Sequence, residues 1–133
     1  MWTFAQMEKY NAVVSLIDQY EAMIGRIDNG IAAYRIDAAP SGRRSDPHRM
    51  EEQIAKKDRA LTKLAQLRNI RDANLPHVQR TIEEATRRSK PSLRLKRQLL
   101  LKMRYEHGRD WPEIAEILKI KHPEEIAWNL LEE

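Results

Sequence analysis

The chain has no cysteine, four glycines, six prolines and 6% aromatics among its 133 residues. Without thiols it forms neither disulfides nor thiolate metal sites, which suits a reducing compartment. Scarce glycine and proline argue against a fold of many short strands and tight turns. No apolar run approaches the roughly 20 residues that a membrane-spanning helix needs. Met1-Trp2-Thr3-Phe4-Ala5-Gln6 shows neither the basic nor the apolar region of an export leader. A glycine-rich phosphate loop, a zinc-ligand spacing and a nucleophile motif are absent as well. His48, His77, His107 and His122 are scattered; His77 with Glu84 and His107 with Asp110 are the pairs whose spacing could bring them together on a helix face, but ordinary surface histidines account for them better. The expectation is a cytoplasmic protein with no enzymatic activity, no cofactor, no metal and no membrane association.

Charge is what the chain has in quantity: 33% of its residues are charged, with a formal net charge of +4. That small excess hides an asymmetry. From Arg87 to Arg104 stand eight basic residues and no acid, whereas from Tyr105 onward eight acids face only Arg109, Lys119 and Lys121. A basic run of this kind points to a polyanion or an acidic protein surface as partner; a solvated helix face accounts for it equally well.

The pattern predicts an all-α protein. Between about Met7 and Asp37, Tyr10, Val13, Ile17, Tyr20, Ile24, Ile27, Ile31 and Tyr34 recur at alternating steps of three and four, a heptad stripe that packs against another long helix. Gly25 and Gly30 inside it each cost about 1 kcal/mol relative to alanine, so the helix depends on its partner. Either an intramolecular hairpin or a homodimer covers this seam; dimerisation is favoured because one short chain offers little else to cover it. Residues 38–46 read as a linker, with Asp46 as N-cap and Pro47 at the first helical position of a second helix. That helix carries Met50, Ile54, Leu61, Leu64, Leu75, Val78, Ile82 and Ala85 on heptad steps, interrupted by Lys57, Arg68 and Arg71, with drift onto Leu67 and Ile70. Pro76 lacks a donor, so a kink or break is expected at Asn74 to Pro76, with Asn74 capping a fresh helix from Leu75 to about Thr86.

Ser89-Lys90-Pro91-Ser92 marks the next boundary, dividing a long-helix region, 1–90, from a terminal domain, 91–133. Ser92 is the expected cap of a helix whose Leu93, Leu95, Leu99, Leu100 and Met103 face the domain. Gly108 supplies the positive φ of a helix C-cap. Asp110, Pro112 and Glu113 form the start of the next helix as a capping box. Ile114, Ala115 and Leu118 turn inward, Ile120 plugs the turn Lys119 to His122, and Pro123, Glu124 and Glu125 open the last helix, where acids suit the helix dipole. Ile126 and Leu130 face inward. Trp111 covers the core, and Trp128 is the tryptophan expected at an interface.

This succession is that of a helix-turn-helix. The segment Lys96 to Leu118, with its R-Q-L-L-L-K-M-R-Y-E-H-G-R-D-W-P-E-I-A-E-I-L string, resembles the C-terminal domain of region 4 of bacterial sigma factors. It is similar also to the phage-encoded late-transcription regulators of the RinA and ArpU type. The resemblance implies a phage or prophage regulator that binds promoter DNA in a bacterial host cell, with contact to RNA polymerase. Arg94, Lys96, Arg97, Lys102 and Arg104 then touch the DNA backbone, and Lys119, Lys121, His122 and Asn129 lie close to the bases. Lys119 stands where such domains usually have a turn glycine, and the last helix presents Glu124 and Glu125 in place of arginine and lysine. Those acids motivate the alternative of a protein-interaction module, or inhibitor of a host enzyme or defence complex, that binds its partner through the acidic last helix. The stripe Val13, Ile17, Tyr20, Ile24, Ile27, Ile31 and Tyr34, together with Trp128, is the expected protein interface.

Overall fold

The computed structural model describes residues 1–38 and 47–132, with side chains described for 1–33 and 48–132. Five helices and no strand occur among the described residues: α1 (Phe4–Ala38), α2 (Pro47–Arg87), α3 (Pro91–Tyr105), α4 (Trp111–Leu118) and α5 (Pro123–Glu132). The expected linker, the Asp46 cap and the Tyr34 side chain lie outside the described residues. None of the described helices is long and apolar enough to cross a membrane.

The first helix starts three residues earlier than its heptad stripe suggests, and the reason is local. The Thr3 backbone N–H donates to Gln6 Oε1 at 2.9 Å, and the Gln6 N–H donates to Thr3 Oγ1 at 3.2 Å. This reciprocal capping box satisfies two otherwise orphaned donors.

The second helix is continuous through Pro76, contrary to the expected break. Pro76 and Asp72 are both exposed, and the missing proline N–H leaves the Asp72 carbonyl without its helical donor. Asn74 does not cap a new helix; its Nδ2 donates to the Ile70 carbonyl at 2.8 Å inside the same one. Val78, Ile82 and Ala85, one to three turns further on, are buried. Their burial helps to offset the roughly 3 kcal/mol cost of an interior proline.

Two further boundaries differ from expectation. The third helix opens at Pro91 with Lys90 at the N-cap, so Ser92 lies within the first turn. Pro91 is favoured there because the first helical N–H has no partner in any case. Asp110 occupies the N-cap of α4 in an extended conformation but makes no side-chain cap bond. Glu113 is drawn instead to Arg109, whose Nη1 donates to Oε1 at 2.6 Å, so the capping box does not close.

The chain divides into two compact units, residues 16–68 and a second built from Met1–Ser15 with Asn69–Glu133. This division cuts across the boundary at residue 90, because the start of α1 and the end of α2 supply core to the terminal helices. In the larger unit, Met7, Tyr10 and Val14 of α1 join Val78, Ile82 and Ala85 of α2. They share one cluster with Leu100, Leu101 and Tyr105 of α3, Ile114 of α4, and Ala127 and Leu131 of α5. Leu100, Leu101, Tyr105 and Ile114 are fully buried. The inward face of α3 is therefore set by Leu100, Leu101 and Tyr105, while Leu93, Leu95 and Leu99 are exposed. A run of adjacent leucines offers more than one apolar face, and the one aligned with Tyr105 is covered.

In the smaller unit, Ile17 and Ile27 of α1 and Ala60, Leu64 and Leu67 of α2 are buried within the single chain. Tyr20, Ile24 and Ile31 are half-buried, and Ile54 and Leu61 are exposed. Two of the three charged residues that interrupt the α2 stripe meet acids on α1, whereas Arg71 donates from Nε to Asp72 Oδ1 on α2 itself at 3.1 Å. Lys57 Nζ lies 2.6 Å from Asp28 and Arg68 Nη2 lies 2.9 Å from Glu21, so partners later on α1 pair with residues earlier on α2. Gly25 and Gly30 face open space, with nothing within 4 Å of a Cβ built at either.

Candidate nucleic-acid interface

The basic run occupies the end of α2, the connecting turn and α3. Arg87, Arg88 and Lys90 are exposed, and the turn that carries them is held by internal bonds. Thr86 Oγ1 donates to the Ile82 carbonyl at 2.8 Å, and the Ser89 N–H donates to the Thr86 carbonyl at 3.1 Å. Two of the predicted phosphate contacts brace the same turn. Arg94 Nη2 donates to the carbonyls of Arg87 (3.1 Å) and Ser89 (3.4 Å), and Arg97 Nη1 donates to Ser89 Oγ at 2.9 Å. Arg87, Arg88 and Arg97 border a cleft of about 410 Å³ that also includes Glu84 and Leu130. Lys96 and Lys102 point to solvent on α3, and neither has an ion-pair partner among the described residues. The surface is thus a turn held by internal bonds with exposed cations around it.

Arg104 is different. Its side chain is 14% exposed, and its guanidinium meets the Glu8 carboxylate at 3.0 to 3.3 Å through Nε and Nη2. Nη1 donates to the Arg109 carbonyl at 3.1 Å, and the guanidinium carbon lies 4.5 Å from the Trp111 ring centroid. Oriented by these neighbours, the Asn11 amide donates to the Arg104 carbonyl at 2.8 Å and accepts from Nη2 at 3.3 Å. Arg104 therefore ties α1, α3 and the start of α4 together. Glu8 and Asn11 carry no motif, so nothing in the sequence marked this centre.

Beside it, the Tyr105 ring meets Trp111 edge-on at 6.3 Å. Its hydroxyl is buried without a hydrogen-bond partner among the described residues. Burial raises its pKa first, and the Glu8 carboxylate adds to the rise; Arg104 opposes it. Tyr10 is likewise raised, chiefly by burial, against the lowering effect of Arg71.

The turn between α3 and α4 contains Gly108 at φ 66°, as its position predicts. The α4–α5 turn has a less common solution. Lys119 adopts φ 57° and ψ 45°, the left-handed conformation usually given to glycine. The N–H groups of Lys119 and Ile120 both donate to the Ala115 carbonyl, combining the bond of a simple left-handed cap with the longer bond of a Schellman motif. Ile120 packs against the core together with Leu118, Ile126 and Leu130. The three helices α3, α4 and α5 contact one another pairwise.

On α5 the predicted base contacts are exposed: Lys121 and His122 precede the helix and Asn129 lies on it, with Lys119 exposed in the turn. Glu124 and Glu125 share the first turn of α5, and Trp128 is 51% exposed. A groove of about 520 Å³ lies here, with Phe4, Trp111 and Trp128 as its aromatic wall and Lys121, His122, Glu124 and Glu125 also lining it. Phe4 joins the two indoles: its ring is stacked on Trp111 at 6.5 Å and edge-on to Trp128 at 5.2 Å. Its backbone N–H donates to Glu132 Oε1 at 2.8 Å, which fixes the N-terminus to the end of α5. Trp2 is anchored similarly by its N–H to Thr81 Oγ1 (3.1 Å) and by stacking on His77 at 5.9 Å. These N-terminal anchors were missed because single aromatic residues at the start of a helix have no periodicity to reveal them.

The structure places Ile17 and Ile27 of the expected interface within the chain's own core, leaves Val13, Tyr20, Ile24 and Ile31 half-buried, and leaves Trp128 exposed. No group of three or more metal-ligating side chains occurs among the described residues. Comparison with protein families, with curated proteins and with solved structures finds no match to this chain.

Proposed function

We propose that the chain is a DNA-binding transcriptional regulator of phage or prophage type. In this reading α3, α4 and α5 form a helix-turn-helix, and α1 with α2 forms a helical hairpin. The observation that carries it is the tight α4–α5 turn at left-handed Lys119 within three mutually packed helices, beside a basic turn and helix on which Arg87, Arg88, Lys96 and Lys102 are exposed. Arg87, Arg88, Lys96 and Lys102 supply phosphate contacts. Arg94 and Arg97 support them by bracing the turn. Lys121, His122 and Asn129 approach the bases, with Glu124 and Glu125 limiting how closely α5 enters a groove. Affinity thus rests mainly on the backbone contacts and specificity on a few polar groups of α5. Two copies joined through the half-buried residues of the α1 stripe place two such domains on paired half-sites. Selection from a random duplex pool tests the reading: recovery of one shared sequence is expected, and recovery of no sequence above background overturns it.

A second reading is favoured by the acidic α5 and its exposed tryptophan. The same scaffold then holds a protein, either RNA polymerase or a host enzyme or defence complex, by its aromatic groove.

A further inference from the structure

The aromatic groove has a counterpart inside the molecule. Arg104 lies over one indole, Trp111, at 4.5 Å, with the Glu8 carboxylate paired to its guanidinium. Trp128 presents a second indole outward, 51% exposed, on the helix that carries Glu124 and Glu125 one turn earlier. Positions four and three residues before Trp128 lie on its side of the helix. Neither carboxylate has an ion-pair partner among the described residues, and both line the groove with the indole. Phe4, edge-on to Trp128 and tied by its backbone to Glu132, holds the aromatic wall in place. Among the described residues of the lining, two carboxylates stand against the single lysine Lys121.

From this correspondence we infer that the groove receives an arginine side chain of a partner protein, stacked on Trp128 and paired with Glu124 and Glu125. The inference rests on the protein-contact reading and names its chemistry. A planar guanidinium suits the site better than an ammonium because it stacks on an indole while its edge still donates to carboxylates. A DNA phosphate in the same place meets two like charges and gains nothing from the indole face.

The test uses the full chain with its tryptophan indole N–H groups observed by NMR. It is titrated with a short glycine-serine peptide carrying one arginine, and with the same peptide carrying citrulline, which keeps the shape and removes the charge. The arginine peptide is expected to shift the Trp128 indole signal, and citrulline to bind about tenfold more weakly. Glu124→Gln with Glu125→Gln should weaken arginine binding by a similar factor while leaving the Trp111 signal and the helical content unchanged. Equal binding of both peptides, no shift with either, or undiminished binding by the glutamine variant overturns the inference. A duplex that shifts the Trp128 signal where the peptide does not assigns the groove to DNA and overturns it too. A non-binding peptide with full capture of purified RNA polymerase refutes the groove alone. Groove binding that persists without duplex affinity refutes only the DNA reading.

Discussion

Replacing Arg104 by methionine separates a structural arginine from a DNA contact. The change removes a charge-assisted pair with Glu8, a bond to the Arg109 carbonyl, a contact with the Asn11 amide and the stack on Trp111, while keeping an apolar stem. A charge-assisted hydrogen bond contributes about 1.5–3 kcal/mol, and an indole–cation stack adds about 0.5–1 kcal/mol. Breaking a fully buried pair costs about 3–5 kcal/mol because the remaining charge is stranded. Glu8 retains 25% exposure, which lets water recover part of that loss. A destabilisation of about 2–4 kcal/mol follows, a large share of the roughly 5–15 kcal/mol that holds an ordinary domain together. Urea unfolding followed by circular dichroism should show a lower midpoint at unchanged slope. Combining it with Glu8→Gln should recover about 1–2 kcal/mol, since the two residues act as one network. A variant as stable as the parent but with weakened duplex binding would refute this reasoning and return Arg104 to the DNA surface.

Three further outcomes follow from the same geometry. Tyr105→Phe should leave stability unchanged or raise it by about 1 kcal/mol, because the lost hydroxyl is buried without a partner among the described residues. Its pH signature has a definite sign. Burial raises the folded phenol above the ordinary value of 10.0, so the unfolded chain loses its proton first. Its contribution to stability is therefore intact below that value and declines as pH rises above it. Thermal midpoints measured on the alkaline side should fall less steeply in Tyr105→Phe than in the parent; parallel curves would contradict this. Lys119→Gly should gain about 1 kcal/mol in denaturant unfolding by relieving the left-handed conformation, and Lys119→Val should lose stability. Thr3→Ala should cost about 1 kcal/mol by opening the α1 capping box.

The terminal helices were the most legible part of the sequence. Gly108, Pro112 and Pro123 punctuate the chain there, and the structure starts α4 at Trp111 and α5 at Pro123, where they indicate. The Thr3-to-Gln6 box was equally local but lies ahead of the apolar stripe that drew attention to α1. Pro76 misled because a local rule met tertiary burial: Val78, Ile82 and Ala85 keep α2 continuous past it. The leucines of α3 misled for another reason, since consecutive apolar residues leave several faces possible and only the partners choose one. The candidate site was legible as charge but not as geometry. Arg104 sits in the same basic run as Lys96 and Lys102, and nothing in the run distinguishes the residue that meets Glu8 and Trp111 from those that face solvent. Trp128 stood out in the sequence, but Phe4, over a hundred residues away, completes its wall.

The central claim is that the solvent-facing cations of the basic turn and α3 bind the phosphate backbone. Fluorescence anisotropy on a selected duplex across a range of salt measures it directly, with the parent compared with Lys96→Ala plus Lys102→Ala. Both residues are exposed and outside the core, so folding stability should be unchanged. Duplex affinity should fall, and its salt dependence should lessen by about 0.9 in log–log slope for each phosphate contact removed. Identical affinity and slope in parent and variant would contradict the account.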